Sequence, residues 1–154
     1  MNFRFFGVRM ISHISRRCRL SKRRNKLIKD GLEMSYKITR KNEAYTYEAP
    51  GHFDVRTTRL HDPQDVNSGG ITMGLSHFLP GGGCDYGSNA RESIYYVIDG
   101  EMYLESELGT ENEVKTTLYA GDTYHCGPHT KKSVINTGST ACQMLVVLIT
   151  PPEA

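Results

Sequence analysis

PGGGCDYGSNARESIYYVIDGE, residues 80–101, and GDTYHCGPHTKKSVIN, residues 121–136, decide the fold. The first stretch opens on Pro80 and three glycines. It runs through the β-prone series Ile94, Tyr95, Tyr96, Val97 and Ile98 and ends at Asp99-Gly100, a strong hairpin signal. The second opens on Gly121-Asp122, turns at Gly127-Pro128 and closes on Val134-Ile135-Asn136. Together they read as two hairpins of a small β-barrel with an open mouth.

Outward from these hairpins the chain keeps the same rhythm. Tyr45-Thr46-Tyr47 is β-prone and ends at Pro50-Gly51. Residues 53–60 alternate, with Val55, Thr57 and Arg59 on one side. Residues 61–70 form a loop, and residues 71–79 form a strand closed by Pro80 and the glycines. Met102-Tyr103-Leu104 partners the strand before it, residues 105–115 make a polar tip around Gly109, and residues 116–119 lead into the next turn. Residues 142–149 are almost continuously apolar, as strands buried on both faces are. No long helix is expected after Met34. Many short strands with glycine turns predict an all-β sandwich or barrel, and closure of the sheet removes exposed edges.

The charge is divided. Residues 1–33 hold ten Lys/Arg against two Asp/Glu, and residues 34–154 hold nine against fifteen. The acidic part argues against nucleic acid as its ligand. The basic head, residues 1–33, reads as an arm for nucleic acid or a membrane surface, as a targeting peptide, or as no native part of the protein. The favoured reading is a start at Met34, with residues 34–154 as the one domain and the head poorly ordered or a loose helix. No run of 18 apolar residues is present, so no helical membrane span is expected. Cys84, Cys126 and Cys142 lack any CxxC pairing, which fits a reducing cytoplasm and idle thiols better than a disulfide framework.

Over residues 70–150 these hairpins resemble the cupin family, small RmlC-like jelly-roll (double-stranded β-helix) barrels. The family's first motif, G-x5-H-x-H-x3/4-E-x6-G, is matched at its opening by residues 80–83 and at its end by residues 95–101. The second motif is matched by Gly121-Asp122, Gly127-Pro128 and Asn136. The metal-ligand positions depart from pattern. The glutamate position is Ser93, with Glu92 one place earlier. The histidine positions fall at Tyr86 and Ser88 or at Gly87 and Asn89, and the second-motif histidine is Lys132. The resemblance implies an iron, manganese or zinc centre. An ammonium has no lone pair for a metal and repels a divalent cation, so no metal and no other cofactor is expected.

Lys132 is the leading candidate: directed into the barrel it would be a buried cation able to hold a carboxylate or phosphate, or to act as a base or form a Schiff base. On the surface beside Lys131 it would do neither. Glu92 is the natural counter-charge or general base, unless it is a solvated strand-start carboxylate. His77 shares a strand face with Leu75 and Leu79, which is read here as a candidate interior face. His77 is there either catalytic or a hydrogen-bonded core residue. His52 at a strand start could cap the mouth. Tyr86, Tyr95 and Tyr124 could line the cavity and bind substrate, or simply pack. A less usual possibility is a metal set of His125, Cys126, His129 and Glu92. The glycines at 81–83 make no phosphate loop, since no helix follows them.

The expected function is a metal-independent cupin enzyme that moves protons on a small polar or anionic metabolite, of isomerase, epimerase or lyase type. His77, Glu92 and Lys132 would be catalytic, and His52, Tyr86, Tyr95 and Tyr124 substrate-binding. The alternatives are a metal-dependent dioxygenase or decarboxylase with displaced ligands, and a non-catalytic binder of a small acid. The resemblance also implies a homodimer, with neither nucleic acid nor membrane as partner.

Overall fold

A computed structural model describes residues 36–66 and 70–150. The basic extension, residues 1–33, lies outside the described residues. Nine strands follow in chain order: β1 Tyr45–Tyr47, β2 His52–His61, β3 Ile71–Gly87, β4 Glu92–Asp99, β5 Glu101–Ser106, β6 Val114–Tyr119, β7 Thr123–Cys126, β8 Lys132–Ile135 and β9 Cys142–Ile149. A single turn of 3-10 helix, Pro63–Asp65, interrupts the loop after β2. All pairings are antiparallel. The strand order is β6-β5-β8-β3-β9-β4-β7, with β2 also on β3 and β1 on β2. The sheet rolls into a nearly closed barrel. Its turn between β6 and β7 is tied to β4 by Val97 N–H donating to Asp122 O and Gly121 N–H donating to Val97 O.

β3 is the longest strand, at 17 residues. The expectation that Pro80 and the glycines close a strand at Leu79 is corrected: the chain stays extended through them and changes partners. Residues 71–78 pair with β9, and residues 83–87 pair with β8. Such a change needs close backbone approach. A Cβ on Gly82 would collide with Asp54 O, and one on Gly83 with Val134 O. Gly81 takes the bend with φ +81°, a left-handed conformation that glycine adopts without penalty. β7 is a further strand that the sequence pattern did not single out.

The interior follows from alternation. Phe78, Val97, Met102, Leu104, Val134, Cys142 and Met144 form the buried core, and each large side chain contributes about 1.5–3 kcal/mol by leaving water. Val55, Thr57 and Arg59 share one side of β2, as expected, and that side is the inward one, because Val55 and Thr57 pair with Phe78 and Ser76. The opposite face of the β3-β9-β4 sheet is also apolar, carrying Met73, Leu75, Leu145, Val147, Ile94 and Tyr96. That is why β9 reads as continuously apolar.

Asn136 locks the change of sheet. Its backbone N–H donates to Gly82 O, and its carbonyl accepts from Gly81 N–H. Its side chain, 1% exposed, donates to Phe78 O at 3.1 Å and Thr140 O at 2.8 Å, and accepts from Gly138 N–H at 3.0 Å. Asn136→Ala should therefore destabilise the barrel by about 2–4 kcal/mol, since buried groups would lose their partners. Gly83→Ala should cost about 2–3 kcal/mol by forcing β3 off β8. Denaturant unfolding measures both.

Cys142 yields a pH prediction. Burial, then the carboxylates of Asp99 and Glu101, push its thiol up to about 11. The folded state therefore holds the proton longer than the unfolded chain does. The stability this provides is complete below the unfolded value near 9 and is lost as pH rises towards 11. Cys142→Ala should be less stable than the parent at pH 7, yet lose less stability between pH 9 and 11.

Candidate functional site

The inward face of the barrel carries a polar group beside its apolar core. Lys132 alternates with the core residue Val134 on β8 and pairs with Ser106 of β5 and Gly87 of β3. It is 7% exposed. Its Nζ lies 5.4 Å from the centroid of the Tyr95 ring, within cation–π range. Tyr95 packs against Tyr124, with ring centroids 5.9 Å apart. The Tyr124 hydroxyl meets Ser106 Oγ at 2.8 Å. No described carboxylate forms an ion pair with Lys132.

These surroundings keep the two phenols and the Cys84 thiol protonated. Burial pushes Tyr95 well above the ordinary phenol range. Burial also raises Tyr124, partly opposed by its bond to Ser106 and by Lys132. Cys84 is raised by burial too, with the Lys132 charge acting against it. Ser93, fully buried at the family's glutamate position, donates to Arg91 O at 3.2 Å and faces Asn89 Nδ2 at 3.5 Å.

The other candidates are placed differently. His77 is on the outer face of β3, because Phe78 and Ser76 take the inside. Its Nδ1 is buried and has no hydrogen-bond partner among the described residues. The reading of Leu75 and His77 as a candidate interior face is thereby corrected: both faces of that strand are apolar, so alternation marks two faces without saying which one is inside. Glu92 also points outward, as its place one residue before Ser93 implies, and its Oε1 meets His125 Nε2 at 2.6 Å. Neither residue converges with Lys132.

His52 sits opposite Cys84 on β2, its ring stacked on Phe78 at 6.5 Å and its Nδ1 2.9 Å from Pro50 O. Tyr86 is exposed, and its hydroxyl accepts from Leu108 N–H at 2.8 Å, which ties the end of β3 to the turn after β5. Tyr95 and Tyr124 are the two tyrosines brought to Lys132.

The donors present do not fit the transition-metal centre the resemblance implies. Ser93, Asn89 and an ammonium replace carboxylate and imidazole. Among the described residues no three of His, Cys, Asp and Glu converge to hold an ion. The alternative set fails because His125 and Cys126, adjacent on β7, face opposite sides. Ser93, Ser106 and Cys84 are inward groups that were not among the candidates, and Cys126 was considered only as a metal ligand. The signal that finds them is their alternation with Tyr95, Leu104 and Tyr124. An open groove of about 560 Å³ lies elsewhere, lined by Thr46, Tyr47, Glu48, Val55, Arg56 and Thr57. None of the polar groups around Lys132 lines it.

Known proteins agree with this architecture. A family model described as "Cupin domain" matches residues 74–148. The chain is 30% identical over 115 residues to a protein named Beta-D-galactosidase Rv1717 from Mycobacterium tuberculosis, a match covering 75% of this chain and 95% of that one. Among solved structures, the polyketide cyclase RemF from Streptomyces resistomycificus superimposes with a TM-score of 0.62 at 17% identity, over 78% of this chain and 83% of that one. A predicted oxalate decarboxylase from Thermotoga maritima gives 0.61 at 18%, over 75% and 100%. An RmlC-like cupin from Shewanella frigidimarina gives 0.59 at 15%, over 79% and 97%. At these identities the solved structures speak for the fold alone. With both motifs' turns, the barrel and a relative matched over 95% of its own length in agreement, the chain belongs to the cupin family.

Proposed function

We propose that this cupin binds a small polar or anionic metabolite inside its barrel, with Lys132 as the anion anchor, and moves a proton on it without a metal, in chemistry of isomerase, epimerase or lyase type. The observation that carries this reading is the buried Lys132 ammonium with no described carboxylate beside it. An uncompensated buried charge costs several kcal/mol. A ligand anion at about 4 Å would return roughly 4 kcal/mol at the effective dielectric of a protein.

Tyr124 is the proton donor in this reading. Its raised phenol stays protonated at neutral pH, and Ser106 Oγ holds its hydroxyl in place. With His77 and Glu92 on the outer face, the remaining candidate imidazole is that of His52, exposed at the start of β2 and stacked on Phe78. It takes the acceptor role.

The name of the mycobacterial relative favours a second reading, in which the substrate is a galactoside. Glycoside hydrolysis commonly uses two carboxylates flanking the scissile bond. Glu92, the carboxylate next to the family's ligand position, is engaged with His125 on the outside. The relative therefore bears more on the class of substrate, a hydroxylated metabolite, than on the reaction.

The test joins binding to metal dependence. Lys132→Met should weaken a ligand found in a thermal-shift screen of carboxylates and sugar acids by about ten- to a hundredfold, the worth of one hydrogen bond to a charged group. Turnover should survive chelation and fall at least tenfold in Tyr124→Phe. Unchanged affinity in Lys132→Met, or activity lost to a chelator and restored by iron, manganese or zinc, would refute the reading. A ligand returned unchanged by the parent protein would reduce the function to binding.

A further inference from the structure

We infer that Arg91 is a second anion-binding group of the same barrel and that its ligand is a small dicarboxylate. The inference rests on the reading of Lys132 as anion anchor and adds the far end of the ligand.

Arg91 immediately precedes β4, two residues before the inward-facing Ser93. Its guanidinium turns to the inner face, where Nη1 lies 3.4 Å from the hydroxyl of Thr72, a residue 3% exposed. Thr72 and Ser93 face Leu148 of β9 from opposite sides, so the Arg91 side chain crosses the inward surface of that strand. A guanidinium offers five donors in a rigid fork. Among the described residues its side chain makes that one long hydrogen bond and no ion pair with a carboxylate.

The inner face therefore holds two cations, Arg91 and Lys132, with no described counter-ion for either. Ser93 and Tyr95 follow Arg91 on the inward side of β4, and Tyr124 pairs with Tyr95. Two residues of strand separate Arg91 from Ser93 and two more separate Ser93 from Tyr95, each step being about 7 Å. Tyr95 carries Lys132 on its ring. The Arg91 guanidinium reaches across β9 to Thr72 while the Lys132 ammonium lies over the Tyr95 ring, so the two charges rest against different residues of the inner face.

A monocarboxylate would leave either the buried Lys132 or the half-buried Arg91 uncompensated. A single phosphate would satisfy one cation and leave its second charge away from the other. A ligand with a carboxylate at each end matches both. Ser93 and Tyr124, each able to donate and accept, suit hydroxyl groups on the carbon chain between the two ends.

Calorimetric titration of the full chain with succinate, malate and galactarate, against galacturonate, galactose and inorganic phosphate, tests the inference. At least one dicarboxylate should bind ten times or more tighter than galacturonate and phosphate, and galactose weakest. Arg91→Gln should lower dicarboxylate affinity about tenfold and leave that for galacturonate within twofold, while Lys132→Met lowers both. Arg91→Lys should restore part of the loss, and thermal unfolding of each variant reports folding. If mono- and dicarboxylates bind alike, if phosphate binds tighter, or if folded Arg91→Gln keeps full dicarboxylate affinity, the role of Arg91 is overturned while Lys132 stands. If Lys132→Met leaves acid binding unchanged, or if no acid binds, both readings fall.

Discussion

The barrel depends on one strand changing sheets. β3 pairs with β9 over its first half and with β8 over its second, and everything inside is placed by where that change occurs. Glycines at 82 and 83 let two backbones come closer than any side chain allows, and Asn136 fastens the bend from both its backbone and its side chain. Because Asn136 follows β8 directly, the clamp also fixes the register of β8. Lys132 pairs with Gly87, Val134 with Cys84, and the alternation between them sends both side chains inward. A one-residue slip would turn the ammonium out to water and bring Ser133 and Ile135 in.

Much of this was legible in the sequence because turns and alternation are local signals. Asp99-Gly100, Gly121-Asp122 and Asn136 each constrain a few residues of backbone, and those constraints survive folding. β9 was placed at its observed bounds for the same reason. The continuation of β3 through Pro80 was not legible. Proline and glycine normally end strands, and only the tertiary pairing with β8 shows that here they bend one. β7 is four residues long, too short for its alternation to stand out from the turns around it.

The site was legible in proportion to how far it rests on register with the family motifs. Lys132 and Ser93 occupy aligned ligand positions, and both turn inward. His77 was judged from its neighbours. Since Leu75 faces outward in company with Leu145 and Val147, apolar neighbours gave no indication of which face is the interior. Glu92 is informative in the opposite sense. It was expected to be catalytic, but its place one residue before Ser93 puts it on the outer face, where it bonds His125.

The physical content of the substitutions lies in their charge. A cupin that binds a divalent ion surrounds positive charge with carboxylate and imidazole lone pairs. Here the glutamate position carries a neutral hydroxyl and a histidine position carries a fixed cation. The backbone of the barrel is retained, and under the proposed reading the sign of the species it stabilises is reversed. Low dielectric strengthens any charge placed there in proportion to how well water is excluded. The fully buried Ser93 and nearly buried Lys132 meet that condition. The same burial holds Tyr95 and Tyr124 in their protonated forms, because a phenolate is costly among apolar neighbours. An anion that enters beside Lys132 therefore meets proton donors already in place, and donors serve a substrate that gains negative charge as it reacts.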